Sequence, residues 1–357
     1  MTATLPATDL DQVLRTIAAT AADIDAGLRP ATTHLAGLAA AGLLDLGIDD
    51  LLTGRPTATD IRPAAETIAA IAEECLPTAF GLWAHRVVED YLARGVASPA
   101  TSGTLDRLRR GEAVGSTGMA QALKSLAGLG DLGIDATPSA DGGWVLSGFV
   151  SWISNLVDDA VLVLPARTAE GSGIVVWVPL SAPGLAPRLT SGLLALDATA
   201  SGSLRLEGVP VSPDQVLSTD LAGFVRAVKP TFLLLQTAFA AGLIRRSWRE
   251  VENALDRNEN AVFAHQARSL GADIDDFLGR WQALASDSAS ASVRDVLQLR
   301  LDASHLAQLA TRLELTLAGG RGYLVSSGAN RRFREAAFLP VQSPSEGHLT
   351  WELSSLA

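Results

Sequence analysis

Apolar residues recur at helical spacing through the first hundred positions, alternate or cluster in short runs through the next hundred, and then return to helical spacing. Val13, Leu14, Ile17, Ala21 and Ile24 share one face of a first helix, with Asp9 or Asp11 as its cap and Gly27 near its end. A second helix is expected over 31–41, stopping at Gly42. Asp60 and Pro63 open a third that runs through Ile68 and Ile71 to Glu74, and Pro77 starts a fourth that stops at Gly95. A short helix over 104–110 leads to Gly111.

From Ala113 glycines and prolines separate short apolar runs at Val114, 144–153, 161–164, 174–178 and 204–211, the signature of strands. A Gly142-Gly143 turn leads into a half-buried strand ending at Trp152 to Asn155, and 160–168 is apolar on both faces, as an inner strand would be. On the connection between them a large flat ring, a hydroxyl and a carboxamide (Trp152, Ser154, Asn155) are placed to face a planar ligand. A plain hairpin with a core tryptophan gives the same pattern. From Ala222 helical runs return over 224–255, 262–285, 293–317 and 343–353. The prediction is a multi-domain α+β chain: a helical domain over 1–111, a central β-barrel or sandwich domain over 112–215, and a C-terminal four-helix bundle over 216–357.

Composition narrows the function. A formal charge of -11 without a basic run argues against nucleic acid and anionic membrane surfaces. No stretch reaches about 18 uninterrupted apolar residues, and the start of the chain lacks the pattern of a secretion signal, so a cytoplasmic protein is expected. The one cysteine, Cys75, lies in an apolar helical pattern and reads as a buried small hydrophobe. No histidine pair has ligand spacing with a carboxylate, so no metal is expected.

Five landmarks in order carry a resemblance: Leu38 to Gly47 with its Ala-Gly-Leu; Trp152-Ile153-Ser154-Asn155 followed by a strand ending Ala166-Arg167-Thr168; Leu206 to Pro213; Gly319-Gly320-Arg321-Gly322-Tyr323; and Arg332-Phe333-Arg334-Glu335. Together they resemble the acyl-CoA dehydrogenase superfamily over nearly the whole chain. The resemblance implies FAD (FMN is the other option) between the β-domain and the C-terminal bundle. Trp152 would lie along the flavin ring and Ser154 near its N5. Met119 and Gln121 would offer backbone N–H groups to the pyrimidine edge, with Ser125 following. Gly319 and Gly320 would admit the pyrophosphate, or simply stop a helix. Arg257 and Gln266 would reach the adenosine half from a neighbouring subunit, although Asn260, Ala261 and Thr316 depart from the family pattern there.

Glu346, before Gly347, stands where family dehydrogenases place the base that removes the α-proton of an acyl thioester. Ser343-Pro344-Ser345-Glu346 also reads as a capping box with Ser343 as its cap. His348 would lie near the cofactor, and Trp83 and His85 lie on a helix that the family uses for the substrate pocket. His34, His265 and His305 read as structural. The implied activity is α,β-dehydrogenation of an acyl thioester on CoA or an acyl carrier protein. The alternatives are a reduced-flavin monooxygenase, an N- or C-hydroxylase on the same scaffold, and a flavin-free binding protein or partner subunit. Implied partners are a small-molecule substrate, an electron-transfer partner or oxygen, and further copies in a homotetramer or homodimer, for which the apolar stretch Phe232 to Ile244 is available.

Overall fold

The computed structural model describes residues 7–356. Six helices come first: α1 Ala7–Asp25, α2 Leu35–Ala40, α3 Ile48–Leu52, α4 Arg62–Glu74, α5 Leu76–Arg94 and α6 Pro99–Arg109. α1 begins early enough to put Asp9 and Asp11 inside the helix instead of at its cap. The segment expected as one helix over 31–41 splits into a 3₁₀ turn, Ala31–His34, and α2. Gly42 in the left-handed region then turns the chain away. α6 starts before its apolar pattern does, because the Ser98 hydroxyl accepts the Thr101 N–H and Pro99 fills the first turn.

All described strands fall between Val114 and Ser218: β1 Val114–Thr117, then helix α7 Ala120–Leu126, β2 Ile134–Pro138, β3 Trp144–Ile153, β4 Ala160–Thr168, β5 Gly173–Pro179, β6 Leu185–Leu189, β7 Gly202–Val211 and β8 Val216–Ser218. They form one mixed sheet in the order β6-β7-β3-β2-β4-β5-β8, with β1 parallel to β4. β4 explains the layering. Leu162, Leu164 and Ala166 point into a core of sheet residues and Leu156, where they meet Leu146, Val150, Leu204 and Val209, while Val161 and Val163 point into the helical core. The sheet therefore folds over on itself on one face and seats against helices on the other.

The last helices are α8 Leu221–Leu255, α9 Ala264–Ser286, α10 Val293–Ala318, α11 Gly328–Ala336 and α12 Glu346–Ser355. α8 continues through Pro230 and is long and apolar enough to cross a membrane by length and composition, yet 83% of its most apolar window is buried inside the protein. It crosses α4 so closely that a Cβ on Gly242 would sit 2.0 Å from the Ala69 carbonyl oxygen. Helices from both ends of the chain thus share one core. Phe232 to Ile244 is consumed by that core and offers no surface to a second copy. Large exposed apolar side chains lie instead at Val262, Tyr323, Leu324 and Val325.

Candidate active site

α5 is buried on nearly every side, and Trp83 and His85, expected from it in a substrate pocket, are packed inside the protein. Trp83 is 3% exposed, donates Nε1–H to the Phe232 carbonyl at 3.3 Å, and packs among Phe80, Phe232 and Phe239. His85 is fully buried. Its Nδ1 accepts the Gly115 N–H at 3.1 Å, and its Nε2 lies 3.3 Å from the equally buried Glu89. Burial pushes the Glu89 carboxyl up, against the pull of His85. A Cβ on Gly115 would come within 2.8 Å of the His85 backbone, so glycine there lets β1 meet α5.

Asn155 also faces the protein and not a ligand. It is buried at φ 59°, and its amide donates to the carbonyls of Gly81 (3.0 Å) and Gly115 (2.9 Å). It closes the corner between α5, β1 and the end of β3. The other two residues of that connection differ. Trp152 is 57% exposed, which rules out the core-tryptophan hairpin. Ser154 is half-buried, with its hydroxyl paired to Ser201 at 2.7 Å and its carbonyl accepting from Ser116.

Ser116 lies on β1, so the end of β3 and the start of α7 come together. Met119 is buried there, and its N–H reaches Thr117 Oγ1 at 3.4 Å. No side chain caps α7. The Gln121 amide is committed to the Phe149 carbonyl and the Gly133 N–H, which brace β2 and β3, and Ser125 is half-buried in α7.

Met119 also walls a small cavity of about 10 Å³ with Tyr91, Leu123, Val225, Val228, Lys229 and Phe232. That volume holds one water at most. α12 lies across its edge, tied to α7 by the Trp351 indole N–H on the Ala127 carbonyl (2.9 Å) and to α8 by a bond from Lys229 Nζ to Glu352. One turn back on α12, His348 is 2% exposed, with Nε2 3.0 Å from Glu352. Its ring N–H is not aimed along that contact, and neither ring nitrogen has a directed hydrogen bond. Burial works against the Glu352 charge, but His348 and Lys229 outweigh it and hold the carboxyl below its ordinary range.

Glu346 turns the other way. Its carboxylate accepts from Ser304 Oγ (2.7 Å) and Gln308 Nε2 (3.3 Å) on α10, with His305 at 3.8 Å. The capping box does not form, because Ser345, not Ser343, caps α12 by accepting the His348 N–H at 3.3 Å, and Glu346 is the first helical residue. Ser343 instead lends its carbonyl to Gln236 at 2.9 Å.

The glycine turn after α10 is a separate place. A Cβ on Gly319 or Gly320 would meet nothing within 4 Å, and Gly319 has φ 60°. It lies about 16 Å beyond Gln308 along α10, at ~1.5 Å per residue. Asn260 donates to the Ala254 and Leu317 carbonyls (2.8 and 3.3 Å), so the loop that starts at Arg257 sits beside this turn. Arg257 and Gln266 are exposed. Among the described residues no group of histidine, cysteine and carboxylate side chains has the arrangement of a metal site.

Lys229 and Glu352 escaped the sequence reading. Glu352 was legible as the partner four residues after His348; Lys229, alone in an apolar helix, could not be assigned to α12 from sequence.

No family model matches the chain. It is 26% identical over 236 residues to the mitochondrial short-chain specific acyl-CoA dehydrogenase of Bos taurus, 59% of this chain and 56% of the relative. The chain therefore matches over about half the length of its curated relatives. Butyryl-CoA dehydrogenase from Megasphaera elsdenii superposes with a TM-score of 0.85 at 15% identity, over 100% of this chain and 99% of the other. KijD3, solved in complex with dTDP, superposes with a TM-score of 0.80 at 20% identity, over 98% and 95%. The chain thus shares the acyl-CoA dehydrogenase fold end to end and is similar in sequence to short-chain members of that superfamily.

Proposed function

We propose that the chain is an FAD-dependent oxidoreductase acting on a compact substrate, by reduced-flavin hydroxylation in preference to desaturation of a long acyl thioester. Bound FAD would supply the two-electron redox chemistry. The residues present suit it at the ring end: an exposed indole on β3, a hydroxyl at Ser154 and, at the start of α7, backbone N–H groups of Ala120 and Gln121 that no side chain caps. They also leave open backbone at Gly319 and Gly320 for the pyrophosphate. Alongside these two sets, a second copy supplying Arg257 and Gln266 would complete the site. The exposed apolar residues Val262 and Tyr323 to Val325, close in sequence to those sets, suit a homodimer or homotetramer.

The observation that carries the choice of reaction is the filled interior. An acyl chain would have to displace Met119, Leu123 and Phe232 from a cavity of about 10 Å³, backed by Trp83 and Phe80. Glu346, the base that desaturation would need, is engaged on α10. Desaturation of a short thioester remains the second reading, favoured by the similarity to short-chain dehydrogenases. Flavin uptake followed by two assays separates them. The expected result is oxygen consumption with a flavin reductant and a small substrate, with no anaerobic bleaching by butyryl-CoA. Bleaching by butyryl-CoA would reverse the order, and failure to take up FAD would overturn both.

A further inference from the structure

The polar group at the cavity edge is more organised than a helix clamp requires. α12 turns His348 and Glu352 toward α8, where one Glu352 oxygen takes Lys229 Nζ and the other lies 3.0 Å from His348 Nε2. Lys229 and Glu352 keep side-chain exposures of 13% and 15%, so the pair stands at the mouth of the cavity that Lys229 also walls. Behind it the imidazole is buried with no directed partner at either nitrogen. Buried polar atoms without partners are uncommon and each calls for a cause.

Charge balance supplies one. Lys229 and Glu352 together are neutral, so a substrate oxygen carrying a negative charge and seated on Lys229 would leave the group net negative in a poorly hydrated pocket. A proton taken from solvent onto the free ring nitrogen of His348 restores neutrality, with no other bond changed. Lys124 on α7 and Arg226 on α8 are solvent-exposed, and the charged groups that α10 and α12 pair between them are engaged elsewhere. Glu346 faces α10; Arg300 on α10 is spent on Gln236, Gln342 and the Leu339 carbonyl; His305 on α10 lies toward Glu346; and α7 approaches through the Ala127 carbonyl. Among the described residues Glu352 is the only ion-pair partner of His348.

We propose that Lys229 anchors a compact carboxylate on the substrate at this mouth and that His348 takes up a proton as it binds, with Glu352 positioning both. The proposal rests on the reading of this cleft as the substrate end of the flavin site, but its test needs no flavin. The full-length chain is titrated with propionate and with propionamide, followed by the His348 imidazole resonances, which His348→Gln identifies. Propionate is expected to bind, to move the His348 resonance toward its protonated position at constant pH, and to bind more tightly by up to about tenfold per pH unit as pH falls from 8 to 6. His348→Gln, which keeps a donor toward Glu352, should bind without that pH dependence. Lys229→Met should lose binding, and Lys229→Arg should keep it. Equal binding of propionamide, an affinity flat between pH 6 and 8, or unchanged propionate binding by Lys229→Met would each overturn it. FAD titrated into the same samples reports separately: flavin uptake without propionate binding sinks this proposal alone, and propionate binding without flavin uptake sinks the cofactor reading alone.

Discussion

Two helices of this protein carry the same signal, a histidine followed four residues later by a glutamate, and use it for opposite ends. On α5, His85 and Glu89 are fully buried, and the free side of the ring is filled by the Gly115 N–H. On α12, His348 and Glu352 keep a lysine at the mouth of a cavity, and the other ring nitrogen has no hydrogen-bond partner. The spacing builds the pair; the third partner decides its use. A backbone donor fixes one tautomer and makes the first pair a clamp between helix and sheet. A cation and an unfilled nitrogen leave the second pair able to respond to a ligand.

The largest effect should come from breaking the clamp. His85→Leu leaves the Gly115 N–H and the Glu89 carboxyl buried without partners, and the expected loss of stability is about 3–5 kcal/mol, read by urea unfolding. A loss below about 1 kcal/mol would erase the distinction drawn between the two helices.

Another buried glutamate, Glu335 on α11, has no histidine and sets burial against an arginine. Burial raises its carboxyl from 4.5 to about 7, with Arg331, 3.7 Å away, pulling the other way. Below pH 4.5 both folded and unfolded chains hold the proton. Between 4.5 and 7 only the folded chain keeps it, so stability falls as pH rises through that window and levels above it. Glu335→Gln should flatten the slope, narrowing the stability difference between pH 5 and pH 8 by at most about 3 kcal/mol, at ~1.4 kcal/mol per unit. An unchanged slope in paired denaturation curves would show that Arg331 compensates the carboxylate fully.

On α12 stability should move little. Glu352→Gln frees Lys229, whose exposure lets water take over, so a loss of about 1 kcal/mol is expected. Thermal unfolding checks it, and a loss as large as that of His85→Leu would make this pair a clamp too.

The contrast also marks what sequence could tell. The order of helices, sheet and helices was legible because hydrophobic period changes near Ala113 and again near Ala222. Trp152 was legible as a ring turned outward at the end of β3. Asn155, from the same motif, was misread because whether a carboxamide faces outward depends on Gly81 and Gly115, residues distant in the chain. Ser343 was misread as a cap because any serine before a proline fits that pattern; the chain starts its helix two residues later, after Gln236 takes the Ser343 carbonyl. Lys229 had no local signal, since its meaning is a contact with a helix more than a hundred residues away.

The smallest expected effect belongs to the residue that sequence made most prominent. Glu346 is bonded to Ser304 and Gln308 on α10, while the cavity and the His348 group lie toward α7 and α8. A carboxylate that removes a substrate proton must come within about 2.6–3.2 Å of it, and general-base catalysis contributes about 10²–10⁴-fold. Glu346→Gln keeps an oxygen to accept from Ser304, so with flavin and substrate supplied it should change turnover by less than about threefold. Stopped-flow measurement of flavin reduction and reoxidation in the variant reads this directly. A hundredfold loss confined to reduction by a thioester would mean that Glu346 leaves α10 when substrate arrives, and the chemistry would return to desaturation at the position where the family resemblance first put it.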